Sequence, residues 1–342
     1  MNISRDEDRA GQISTTVPND ALGGDRINMQ DAREGTGVCS AEIDPAMRSR
    51  LDEARQFVNL ALDLQRDGWS LKSGRYAKRA VLRFEQASRG DDYEAIVARL
   101  CLADSRFVRG NFAGAETDYR HALSSIDGLD GASASFDVRS VRAQALSGLA
   151  NVALARGQTA DAERQLLDAL DIIEPKAGSS HESSATLMDD LGTLYRQTGR
   201  YDEAERIQHL ALTVIEETVG IEHPQAAAIL EHLAMLEHAR GQFIVGERFA
   251  RQAAAIQERA FGPDHPRVAS AYVVLALILE KQGKLLEATQ ARQAAQLMAQ
   301  RWFGDDLEAL AGSGLVTSVS PADRRHAGWP SRSWATRSAH AV

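Results

Sequence analysis

The sequence predicts an all-α fold: a solenoid of stacked antiparallel helix pairs, with about five clear units and one divergent pair before them. Three observations lead there. Gly157, Gly199, Gly241 and Gly283 fall 42 residues apart, and Gly110 precedes Gly157 by 47. A second glycine series (Gly178, Gly220, Gly262, Gly304) and a histidine series (His181, His223, His265) keep the same 42-residue step. Proline numbers only 8 and aromatics 6%, while Ala, Leu, Arg, Glu and Gln abound, residues that suit a helix.

The periodic region opens at Asp44-Pro45, with Asp as N-cap and Pro at the first helical position. In the divergent pair, Phe57–Gly68 reads as a first helix and Tyr76, Ala80, Phe84 and Ala87 as the stripe of a second. WSLKSG stands between them as about six extra residues. The first clear unit carries Leu102, Ala103, Phe112, Ala115, Tyr119 and Ala122, and the second carries Leu149, Ala150, Ala162, Leu166 and Ala169. In the third, Leu187, Leu191, Leu194 and Tyr195 share one helical face. Thr198-Gly199-Arg200 ends that helix, its glycine suited to a left-handed cap. Tyr201, Ala204, Ile207, Ala211 and Val214 form the next stripe, with the two alanines letting helices approach closely. The fourth unit has Leu233, Ala234, Phe243, Gly246 and Ala253, and the fifth has Leu275, Ala276, Ala288 and Ala295. Each pair has an apolar face it cannot bury alone, so stacking creates a continuous core. Residues 1–43 and 312–342 lack this periodicity and are rich in small and polar residues. They are expected to be disordered tails on a repeat domain spanning 44–311.

The run LGTLYRQTGRYDEAE (Leu191–Glu205) resembles the tetratricopeptide signature, with Leu191, Gly192, Tyr195, Tyr201, Ala204 and Ala211 at its packing positions. The 42-residue length, with GIEHPQAA from Gly220 and GPDHPRVA from Gly262 in the connecting loops, resembles the kinesin light chain subclass. That resemblance implies a right-handed superhelix whose first helices line a concave groove. It assigns to the groove Asn151; Asp189, Asp190, Thr193, Arg196 and Gln197; Glu231, His232, Met235 and His238; and Val273, Val274, Leu277, Glu280 and Lys281. The paired Lys, Asn and Arg of chaperone-binding relatives are missing here. The asparagine pair of kinesin light chains is also replaced, by Ser147-Gly148, Asp189-Asp190, Glu231-His232 and Val273-Val274, so motor-cargo recognition does not carry over. The expected groove is amphipathic: Asp189, Asp190 and Glu231 would attract basic partner residues, and Met235, Val273, Val274 and Leu277 would receive apolar ones.

The net charge of −9 disfavours nonspecific nucleic-acid binding. Two cysteines, Cys39 and Cys101, do not make a disulfide framework and fit a reducing cytoplasm. The N-terminal residues contain no apolar core of a signal peptide, and no stretch of about 18 apolar residues suggests a membrane span. Phosphate-loop, HExxH and serine-elbow motifs are missing, and GTG at 35–37 is too short to be more than a linker. The periodic histidines are not a metal cluster: each repeat moves its histidine by roughly 8–10 Å, whereas zinc needs every ligand nitrogen at about 2 Å. Their role is in the loops, where the following Pro224 or Pro266 opens the next helix. Cys101 reads as a partly buried bland thiol, and the apolar last helix (Leu285, Leu286, Leu297, Met298, Trp302, Phe303) suggests a homodimer contact or cover by the tail. The expected function is a noncatalytic, cofactor-free scaffold or adaptor that binds a protein or peptide segment. The alternative is a sensor module for a peptide or small ligand.

Overall fold

The computed structural model describes residues 44–303, except 67–69, 88, 91, 130–135 and 174–181. Both tails, with Cys39 and residues 35–37, lie outside the described residues, as do Gly178, His181, Gly304 and the side chains of Trp302 and Phe303. Twelve α-helices follow in order: α1 Pro45–Arg66, α2 Ser70–Gln86, α3 Tyr93–Val108, α4 Phe112–Asp127, α5 Phe136–Ala155, α6 Thr159–Ile173, α7 Glu182–Gln197, α8 Tyr201–Thr218, α9 Pro224–Ala239, α10 Phe243–Phe261, α11 Pro266–Lys281 and α12 Leu285–Phe303. Each helix packs against its neighbours in sequence. The odd-numbered helices also touch the next odd-numbered helix, a contact the even-numbered ones lack at comparable extent. The odd helices therefore form the closer, inner layer, which is where a groove would lie.

The turns explain the glycine period. Gly199 sits at φ +79°, a left-handed backbone that a Cβ disfavours. Its N–H donates to the Arg196 carbonyl, and the Arg200 N–H donates to the Tyr195 carbonyl at 2.8 Å. This is the Schellman pattern, which satisfies carbonyls left open at the helix end. The same two bonds recur around Gly110, Gly157, Gly241 and Gly283, all with positive φ. In the longer loops, His223 and His265 are N-caps. Each imidazole Nδ1 accepts a backbone N–H, from Gln225 at 3.4 Å and from Arg267 at 3.2 Å, while Pro224 and Pro266 open the helices. Burial depresses both imidazole pKa values, that of His265 to about 4, which keeps the ring neutral and able to accept.

The core runs along the stack as a relay of clusters, each shared by adjacent pairs. Ala204, Ala211, Ala250, Ala253, Ala288 and Ala295 are all buried, as close helix approach requires. The expected insertion WSLKSG is a correction: α2 already begins at Ser70, so most of that segment is helix. Gly74 permits it, because a Cβ there would fall 2.0 Å from Ser105 Oγ, and its absence lets α2 lie close to α3. Cys101 is buried and free, and burial raises its thiol pKa, so it is a core residue. On α12, Leu285, Leu286 and Leu297 remain exposed.

Nothing lies within 4 Å of a Cβ built on Gly241, whose φ is +78°. Gly241→Ala is therefore expected to destabilise through backbone strain alone, by about 1 kcal/mol, and Gly241→Asn by less. Denaturant midpoints of the three chains check this.

Candidate partner-binding face

Along the inner layer the polar side chains are hydrogen-bonded from repeat to repeat. Gln65 on α1 and Gln144 on α5 both donate to the Asp104 carboxylate on α3, which Tyr119 also donates to. Ser147 on α5 donates to Asp190 Oδ2 on α7 at 2.6 Å. His232 Nδ1 on α9 meets Asp189 Oδ2 on α7 at 2.7 Å. Ser270 on α11 donates to Glu231 Oε2 on α9 at 2.8 Å. The partners stand 39 to 43 residues apart, within three residues of one repeat, so neighbouring positions on successive inner helices form successive rungs.

This ladder sits in a poorly solvated seam. Burial pushes the Asp190 carboxyl up to about 6 and that of Glu231 up to about 7; the hydrogen bonds from Ser147 and Ser270 pull the other way without reversing it. At His232 burial opposes the charge, but the Asp189 carboxylate outweighs it through charge and hydrogen bonding, and the pKa rises. The seam therefore favours bound protons.

The three acids expected to attract a basic partner are thus corrected in role. Asp189 is 7% and Glu231 4% exposed, and both, with Asp190, are occupied by the neighbouring repeat. Desolvation and the rungs draw them inward rather than leaving them as a free negative wall. Val273, Val274 and Leu277 are also in the core, with Val274 completely buried, because α11 packs against α9, α10 and α12. Met235 is buried to 1% and Arg196 to 9%, and His232 is half-buried within the ladder. Asn151 and Thr193 are half-buried and Gln197 is exposed. None of these three side chains forms a hydrogen bond among the described residues, and Thr193 Oγ1 is a buried atom without a partner.

Arg196, Met235 and His238 come together in a cleft of about 520 Å³ with Ala239, Arg240, Gly241, Phe243 and Lys281. It lies where the C-terminal ends of α7, α9 and α11 meet the turn into α10. The His238 ring stands edge-on to Phe243, with centroids 5.7 Å apart. The sequence-level selection missed the ladder residues Gln65, Asp104, Gln144, Ser147 and Ser270, and the cleft residues Arg240 and Phe243. A signal for the ladder did exist: Ser147/Asp190 and Asp189/His232 are both 43 residues apart, one repeat plus one residue. Among the described residues no group of three or more His, Cys, Asp or Glu side chains could hold a metal ion, and no helix is long and apolar enough to cross a membrane.

A family model described as "Tetratricopeptide repeat" matches residues 141–217, 190–244 and 225–296. No curated protein sequence matches the chain. Among solved structures, BtubC (BKLC) from P. vanneervenii is 19% identical, over 76% of this chain and 94% of that one, with a TM-score of 0.51. A Rap protein complexed with Competence and Sporulation Factor is 16% identical over 77% and 79%, with a TM-score of 0.56. The Rap conjugation gene regulator of the plasmid pLS20, in complex with the Phr* peptide, is 14% identical over 80% and 82%, with a TM-score of 0.54. These structures share the fold.

Raising the pH removes the proton that burial holds on Glu231. Its contribution is complete below the ordinary glutamate range and is lost as pH rises through about 7. Glu231→Gln keeps an acceptor for Ser270 without the charge. Relative to the native chain, its thermal midpoint is expected to rise by several degrees between about pH 5 and about pH 8. Melting curves at the two pH values check the sign.

Proposed function

We propose that this chain, which belongs to the tetratricopeptide repeat proteins and has units of the kinesin-light-chain-like type, is a noncatalytic scaffold. It holds an extended segment of a partner protein against its inner helices, in the cytoplasm. The observation that carries the reading is the contrast along the inner layer. The ladder residues are committed to one another, whereas Asn151 and Gln197, in the two central repeats, have no hydrogen-bond partner among the described residues. Amide groups of this kind suit the N–H and C=O groups of an extended peptide, which must find partners when they leave water. The interlocked rungs keep those side chains in a fixed register, which lowers the ordering cost of binding.

A sensor role is the second reading. Two solved structures with this architecture hold Competence and Sporulation Factor or the Phr* peptide. In a sensor the bound peptide would act by changing how the rungs stack. Both readings need a ligand on the inner face.

A photo-crosslinking residue placed at Gln197 on the inner layer, or at Ile244, which is 75% exposed at the start of α10, separates the faces. In cells, adducts with one partner protein are expected from position 197 and not from 244. Adducts from 244 alone would move binding to the even-numbered helices and reject the groove.

A further inference from the structure

The last described helix, α12, turns outward a face unlike those of α8 and α10. It places Ala288, Ala295, Met298 and Ala299 in the core it shares with α11. On the other side Leu285, Leu286 and Leu297 are 65%, 74% and 57% exposed. Thr289 and the helix's four glutamines are exposed among them. At 3.6 residues per turn these eight side chains fall within about 140° of the helix circumference, so they form one strip. None carries a charge. The same eight positions one repeat earlier, on α10, include Glu247, Arg248, Arg251 and Glu258. Two repeats earlier, on α8, they include Asp202, Glu205, Arg206 and Glu216.

The charges that α12 does carry are directed back into the stack. Glu287 pairs with Arg251 on α10, Arg292 with Glu280 on α11, and Arg301 with Asp264 in the loop before α11. The forward position is changed as well. Glu116 on α4 takes Arg156, Glu163 on α6 takes Arg200, Glu205 on α8 takes Arg240 and Glu247 on α10 takes Lys284, each a base from the turn of the next unit. Glu163, Glu205 and Glu247 step by 42 residues, and the next step lands on Thr289. The acid that a further unit of the same kind would engage is therefore missing from α12.

What covers this strip must be uncharged and must pair with amides, and the strip itself meets both conditions. In a two-fold contact residue i meets residue j and j meets i, so a fixed charge near the axis would confront its own sign. Leucine packs on leucine, and a glutamine amide both donates and accepts, so it pairs with another glutamine. We propose that the outer face of α12 docks on the same face of a second copy of this chain, about a two-fold axis. The strip is about 28 Å long. That is a small interface, and the dimer forms at concentrations on the order of micromolar.

Sedimentation velocity of the full-length chain from about 1 to about 100 µM is expected to show the mass rising from one chain to two. Leu286→Glu combined with Leu297→Glu is expected to hold the mass at one chain throughout, with helix content unchanged because both side chains are exposed. Ile244→Glu, at the position of Leu286 one repeat earlier and 75% exposed, is expected to leave the dimer intact. Mixing the doubly acidic chain with one carrying Leu286→Lys and Leu297→Lys is expected to restore it. A native chain that stays single at the top of that range, a dimer that survives the acidic substitutions, or a mixture that stays single would overturn the proposal. Should a single native chain lose thermal stability on those substitutions, the face belongs to another segment of the same chain.

Discussion

A helix pair in this chain has an apolar face that no part of the same pair can cover, and everything else follows from that. Tyr119, Leu166, Leu194, Leu233 and Ile278 reach near-complete burial only because a neighbouring pair lies against them. The alanine stripes allow that approach, and the left-handed glycines turn each chain segment back sharply enough to meet the last one. A solenoid built in this way has no single centre. Its clusters form a relay, and what happens at one seam is passed to the next by contact.

The seams are not uniformly apolar. A ladder of amides, hydroxyls, carboxylates and one imidazole runs through the inner layer, and almost every rung crosses from one repeat to the next. Buried polar groups are costly unless paired, so these bonds select one register of stacking where alanine and leucine would tolerate several. The protons that burial holds on Asp190 and Glu231 have the same origin. At the loop end of the repeat the relation is inverted: His223 and His265 are kept neutral so that they can accept N–H groups.

On the proposed reading, recognition uses what the stack leaves over. The ladder occupies Asp104, Asp189, Asp190 and Glu231, so the inner face is left with the unpaired amides of Asn151 and Gln197 in the middle.

The repeat was legible in the sequence because its cause is local. A glycine at a positive φ, a proline at a helix start and an apolar residue every third or fourth place answer to their own backbone, so their spacing can be read directly. The helix content and pairing follow, as do the loop positions of His223 and His265 before the prolines that open the next helices; that their rings cap those helices is seen only in the structure. The insertion before Tyr76 was misread for want of one non-local fact, the closeness of Ser105 to Gly74. The groove suffered the same limit. Position within a repeat told that Asp189, Asp190 and Glu231 belong to an inner helix, but not whether they meet water or the serine and histidine of the next repeat. That depends on how far one pair is rotated against another, a quantity set by packing across the seam. The sequence by itself determined the unit and its period; only the tertiary structure decided which polar groups the stacking consumed and which it left unpaired, because burial is a property of neighbours and not of residues.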